Sequence, residues 1–219
     1  EDDQAQIALR RAQIGMLSDR MADVESQLEI ARGKYGAHVY FVGLDADMAL
    51  RKGDLPSAAA SLRLLSRHAR AHHLESFDGD WYRVEELSSR PVIWDDSHAL
   101  PLTEVTINGR KGRFVLDTGT GDCLLDTRFA RQAEIELGHF DQAGFAGGRV
   151  GHWQLGRIES LSVGGSRFTQ LPAMVASLDD AFHHGYDRSV DGIIGAGLLR
   201  AAGGIDIEYQ RSCFRLGSP

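Results

Sequence analysis

The apolar run Phe114-Val115-Leu116 ends abruptly in Asp117-Thr118-Gly119-Thr120. A carboxylate delivered by a core strand to the mouth of a fold is placed for acid–base chemistry, because partial burial and nearby amides set its protonation. Thr118 offers a hydroxyl that can pin the loop, and Gly119 lets another backbone approach closely. A nucleophilic Asp after a buried strand also occurs in phosphoryl-transfer enzymes. Those need phosphate-cradling motifs on alternating strands and helices, whereas the chain downstream of Asp117 reads as strands. Asp122 is expected to be a solvated turn acid within reach of the titration of Asp117, and Asp126 a helix cap. His68 and His72 have the spacing of two metal ligands on one helix face, with His73 and Glu75 nearby. No Glu follows the first His as a zinc-protease helix requires, so a solvated face is expected. His183-His184 falls in a predicted surface loop. Trp81, Trp94 and Trp153 read as packing anchors, with Trp153 also placed to wall a pocket. Cys123 and Cys213 sit in apolar, strand-like runs and leave two arrangements open. They are either two buried thiols or one disulfide between an early strand and the last one.

The elements that must carry these residues change character near residue 90. Six of the 25 glycines precede residue 91 and nineteen follow it. Residues 1–90 are predicted helical and residues 91–219 β-rich. Ile7, Ile14, Leu17, Met21, Val24 and Leu28 trace a heptad-like stripe that predicts one helix over residues 4–32, broken by Gly33 and Gly36. A second helix is predicted over 38–51 with Gly53 as its C-cap residue. A third opens at Asp54 and Pro56, with Ala59, Leu62, Leu65 and Ala69 on its apolar side. The turn through Gly53-Asp54-Leu55-Pro56 resembles that of a tetratricopeptide repeat, against the plainer reading of a small bundle. Strands are predicted at 102–107, 113–116, 150–155, 158–163, 174–176, 205–208 and 213–216. Asn108-Gly109 gives a strong hairpin signal between the first two. Short helices are predicted after Asp126 and around Leu198. Short strands with many glycine turns indicate a barrel or sandwich.

Composition narrows the function classes. A chain of 219 residues with 42% hydrophobic and 25% charged side chains is not wholly disordered. With 31 acidic against 24 basic residues and a net charge of -7, it lacks the basic footprint of a nucleic-acid binder. No stretch reaches the roughly 18 consecutive apolar residues of a membrane span. Glu1-Asp2-Asp3 replaces the basic start of a signal peptide, so any export signal is expected to have been removed or never to have existed.

The string around Asp117 resembles the active-site motif of aspartic proteases, and its surroundings resemble the bacterial retropepsin-like branch, over residues 98–217. The hairpin 102–116 matches the entry strands. Residues 144–151, with Ala146, Gly147 and Gly148, stand where that family has its mobile flap. Asp191-Gly192-Ile193-Ile194-Gly195 matches the element that closes the loop behind the catalytic acid, with Ile193, Ile194 and Gly195 its core. Residues 205–209 and 213–216 resemble the closing strands. The resemblance implies a mainly β retropepsin-like barrel (residues 91–219) preceded by an all-α domain (residues 1–90). It implies hydrolysis of peptide substrates by Asp117, in a loop built by Thr118, Gly119 and Thr120, without metal or other cofactor. Two carboxylates about 3 Å apart share one proton and activate a water between them. The chain contains one Asp-Thr-Gly, and Asp191-Gly192 lacks the hydroxyl residue between, so the implied assembly is a homodimer pairing two Asp117 side chains. Two alternatives stand beside it: a helical half that holds the enzyme latent, and a non-catalytic module that binds a partner through its helices. A periplasmic or cell-envelope location is expected from the disulfide alternative and the helical appendage, with the cytoplasm as the alternative.

Overall fold

The computed structural model describes residues 3–18, 20–35, 39–77, 79, 81–95, 101–144, 150–178 and 190–217. It divides into two compact units, Glu1–Asp78 and Gly79–Pro219. The boundary thus falls before the expected residue 90. The reason is β1 (Arg83–Glu86), which pairs with a strand of the second unit and takes its flanks with it.

The first unit is helical. Where one long helix was expected over 4–32, there are two, α1 (Asp3–Leu17) and α2 (Met21–Tyr35). The chain turns after Leu17, where the amides of Ser18 and Arg20 both bond back to the Gly15 carbonyl, at 3.2 and 2.9 Å. Gly15 permits the close approach: a Cβ there would lie 2.8 Å from Val24 Cγ2. The buried face is Ala8, Ala12 and Met16 on α1 against Val24, Leu28 and Ala31 on α2. The heptad stripe is therefore only half right. Ile7 and Ile14 are 46% and 53% exposed. The core is built on the neighbouring alanines, whose small side chains let two helices pack closely. In α3 (Val39–Lys52) and α4 (Leu55–Leu64) the local signals hold. Gly53 takes φ +75, and the Asp54 carboxylate accepts from the Ser57 amide at 3.1 Å. Leu55, Ala58, Ala59 and Leu62 are buried. The helix ends before Leu65 because Ser66 is left-handed, and Ala69 instead falls in α5 (His68–Glu75). No helix among the described residues is long and apolar enough to cross a membrane.

The second unit is a closed barrel. Its strands, after β1, are β2 (Val92–Ile93), β3 (Leu102–Ile107), β4 (Arg110–Leu116), β5 (Cys123–Asp126), β6 (Glu136–Gly144), β7 (Val150–Val163), β8 (Ser166–Ala176), β9 (Gly192–Ile194), β10 (Ile205–Glu208) and β11 (Cys213–Leu216). Short helices α6 (Thr127–Gln132) and α7 (Ala196–Ala201) interrupt them. The large sheet runs β1-β8-β5-β9-β4-β3-β7-β6, and pairing of β7 with β8 closes it. A second sheet runs β10-β11-β2. The Asn108-Gly109 turn has φ 47 and 80, the two positive values of a type I′ hairpin. The Asn108 side chain then accepts from the amides of Glu159 and Ser160 at 3.1 and 3.0 Å, tying the turn to β7. The two strands expected at 150–155 and 158–163 are one, because Gly156 continues β7 and stacks against Ile135.

Phe114 and Phe129 meet edge to face at 5.3 Å in the barrel core, with Phe168, Leu125, Ile158 and Leu161 also fully buried. Trp94 and Trp153 are buried and Trp81 packs against the core. Both cysteines are free and buried, so the disulfide alternative falls, and with it one ground for an oxidising compartment. Burial pushes the Cys123 thiol up to about 12. Truncation of Phe114 to Ala is expected to cost about 3–5 kcal/mol in urea unfolding. Neither thiol should react with iodoacetamide at pH 8 in the folded protein, and both should react in denaturant, as mass spectrometry would count.

Candidate active site

β4 carries the chain through the core with Phe114, Val115 and Leu116 all buried, then releases it at Asp117. It lies parallel to β9, with Leu116 opposite Ile194, and the Asp117 amide continues the ladder to the Ile194 carbonyl at 3.1 Å. On its other side β9 pairs with β5, so three residues of β9 are wedged between the strands that enter and leave the Asp117 loop. The wedge has room only for glycine at both ends. A Cβ on Gly192 would lie 2.6 Å from the Leu124 carbonyl, and one on Gly195 2.3 Å from the Asp122 carbonyl. Ile193 and Ile194 are buried between.

The loop is fixed from two directions. Its main chain is held by the element after β9, where Ala196 and Gly197 donate to the Thr120 and Gly121 carbonyls, each at 2.7 Å. Its acid is held from within. Gly119 donates its amide to Asp117 Oδ1 at 2.8 Å, and the Thr120 hydroxyl donates to Oδ2 at 2.7 Å. The hydroxyl that pins the acid is thus Thr120, while Thr118 is exposed beside exposed Gly119. Asp117 itself is half-buried. A carboxylate with both oxygens oriented and one side open can take a proton from a water, or share one with a second acid.

Asp191, Asp126 and Asp122 are occupied elsewhere. Asp191 stands at the far end of β9, level with Arg113, whose amide donates to its Oδ2 at 3.0 Å; Arg128 binds its Oδ1 at 3.2 Å. Asp126 is buried, capping α6 through the Arg128 amide and accepting from Leu178 N. Asp122 accepts at 2.9 Å from the Tyr82 hydroxyl. Sequence reasoning overlooked Tyr82, which lies far upstream in no recognisable motif. The strands β6 and β7 bracket the expected flap, pairing out to Gly144 and Val150, while Ala146, Gly147 and Gly148 lie outside the described residues. Below it Trp153 is buried opposite Asp141, packed into the hairpin base. His183-His184 also lies outside the described residues. The α5 histidines do not converge: His68 and His72 are exposed, His73 turns inward against Phe77, and Glu75 pairs with Arg63.

Residues 103–198 match the family model described as aspartyl protease. Among solved structures, this chain is similar to a retropepsin-like aspartic protease from Rickettsia conorii. The identity is 16% over 61% of this chain and 94% of that one, with a TM-score of 0.44. It is also similar to the EIAV protease in complex with the inhibitor HBY-793, at 22% identity over 53% of this chain and 100% of the other, with a TM-score of 0.38. A third is the retroviral protease-like domain of Ddi1 from Leishmania major, at 14% identity, 54% and 87% coverage and a TM-score of 0.35. No curated protein matches the chain. The family match spans less than half of the chain, and the helical unit lies outside the matched residues.

Replacing Gly195 by Ala drives a methyl into the Asp122 carbonyl and should destabilise the barrel by about 1–3 kcal/mol in chemical denaturation. Thr120→Val removes the hydroxyl donor to Asp117 and is expected to lower kcat/KM for peptide cleavage about tenfold, a loss of about 1.4 kcal/mol. The circular dichroism spectrum should not change.

Proposed function

We propose that this protein is an aspartic endopeptidase that works as a homodimer, with one Asp117 carboxylate from each protomer. The observation that carries the reading is the solitary acid loop. Asp117 is oriented through both oxygens and flanked by exposed Thr118 and Gly119, while Asp191 is committed to Arg113 and Arg128 at the other end of β9. On this reading Asp117 is one half of a two-carboxylate centre, and the two-fold axis of the dimer supplies the other half.

In that assembly the two carboxylates, about 3 Å apart, hold one proton between them, because two like charges so close cannot both persist. The ionised member takes a proton from the bridging water as its oxygen attacks the peptide carbonyl carbon. The protonated member gives its proton to the carbonyl oxygen. The tetrahedral diol then collapses, breaking the C–N bond as a proton passes to the departing nitrogen, and the dyad recovers its single shared proton. The pair titrates as a unit. A peptide lying extended beneath the β6–β7 hairpin would use main-chain hydrogen bonds for affinity and alternate side chains for selectivity.

Sedimentation and peptide cleavage test this together. The expected result is a dimer whose activity per protomer falls on dilution, and an Asp117→Asn variant with kcat lowered at least about 100-fold. Mixing wild type with excess Asp117→Asn protomers should suppress activity beyond simple dilution, because mixed dimers carry one acid. A protein that stays monomeric and inert toward peptides at every concentration and pH would instead fit a latent or partner-binding module.

A further inference from the structure

The segment around β1, residues 81–88, does more than lead the chain into the barrel. β1 pairs with β8 from Arg83 opposite Thr169, and the Ser88 amide reaches Ser166 Oγ at 3.0 Å. Just before β1, Tyr82 takes a left-handed backbone, φ 53, unusual for a bulky aromatic residue. Its amide donates at 2.8 Å to the carbonyl of Gln170, itself left-handed at φ 56. Such conformations persist where the surroundings over-determine them, and here they aim one side chain. The Tyr82 ring is buried in the barrel core, and its hydroxyl donates to Asp122 Oδ1 at 2.9 Å.

That contact touches both halves of the acid loop's support. Asp122 ends the loop that begins at Asp117, and its carbonyl is the atom packed tightly on Gly195. The Tyr82 hydroxyl also covers Gly197, where a Cβ would lie 2.4 Å from it. Gly197 in turn donates to the Gly121 carbonyl at 2.7 Å. One phenol thus bridges the loop carrying Asp117 and the segment that closes behind it, from a residue outside the matched span 103–198.

We propose that Tyr82 is a positioning residue for the Asp117 loop, acting through its hydrogen bond to Asp122. It touches no reacting atom. It limits the freedom of a loop whose acid must meet its twin and a water within a few tenths of an ångström, a tolerance on which catalytic rate depends steeply. The proposal rests on the dimeric reading above, so its test carries one readout that needs no activity.

In the full-length protein, Tyr82→Phe removes the hydroxyl and keeps the ring. The expected result is a kcat lowered about tenfold with KM within about twofold, and an unchanged unfolding midpoint. Asp122→Ala should do the same and the double variant no worse, since both break one bond. Asp122→Asn keeps an oxygen acceptor and should retain most of kcat. In parallel, amide hydrogen exchange at Gly119, Ala196 and Gly197 should accelerate several-fold in Tyr82→Phe. Wild-type kcat and exchange in Tyr82→Phe, or losses that multiply in the double variant, would overturn the proposal. Should the wild type be inert toward peptides, the dimeric reading is what fails; faster exchange in Tyr82→Phe then still sustains the clamp, and unchanged exchange still sinks it.

Discussion

The wedge of β9 between β4 and β5 is the constraint on which the rest depends. It is made of backbone hydrogen bonds, to β4 in parallel and to β5 antiparallel, and it closes only because Gly192 and Gly195 bring no Cβ to its ends. Every feature of the Asp117 loop is referred to that wedge. The acid emerges where β4 runs out beside Ile194, and the loop carbonyls are caught by the amides of Ala196 and Gly197. The far end is tied off by Asp191, which receives the Arg113 amide and the Arg128 guanidinium. Asp117 and Asp191 are thus the same residue type at opposite ends of one short strand. One is left open to solvent chemistry and the other is used up as a structural tie.

Much of the barrel could be read locally because its signals are local. The Asn108-Gly109 turn, the strand before it and the Asp126 cap each depend on a few adjacent residues whose backbone preferences agree with the final structure. β1 and β6 were invisible for the opposite reason. β1 has all four residues exposed and no alternation, and β6 owes its existence to pairing with β7 across a bulge. In the helical unit, periodicity pointed to the large residues Ile7 and Ile14, while packing selected Ala8 and Ala12. The tight helix pair rewards small side chains, which a hydrophobicity pattern undervalues.

At the site, the run into Asp117 announced an acid at the end of a core strand, and only the family resemblance pointed to Ile193, Ile194 and Gly195 as the element behind it. The hydroxyl that grips the acid was less legible, since Thr118 and Thr120 are equally placed in the sequence and only the turn of the loop decides between them. Tyr82 was beyond reach. Its importance comes from a left-handed backbone and a contact forty residues away, neither of which has a sequence signature.

The two cysteines of the barrel lie on different strands, one at the start of β5 and one at the start of β11, each buried as a thiol. Among the described residues the fold therefore holds no covalent staple to lose. The geometry of the Asp117 loop is held by hydrogen bonds and packing, with no disulfide for a reductant to cut.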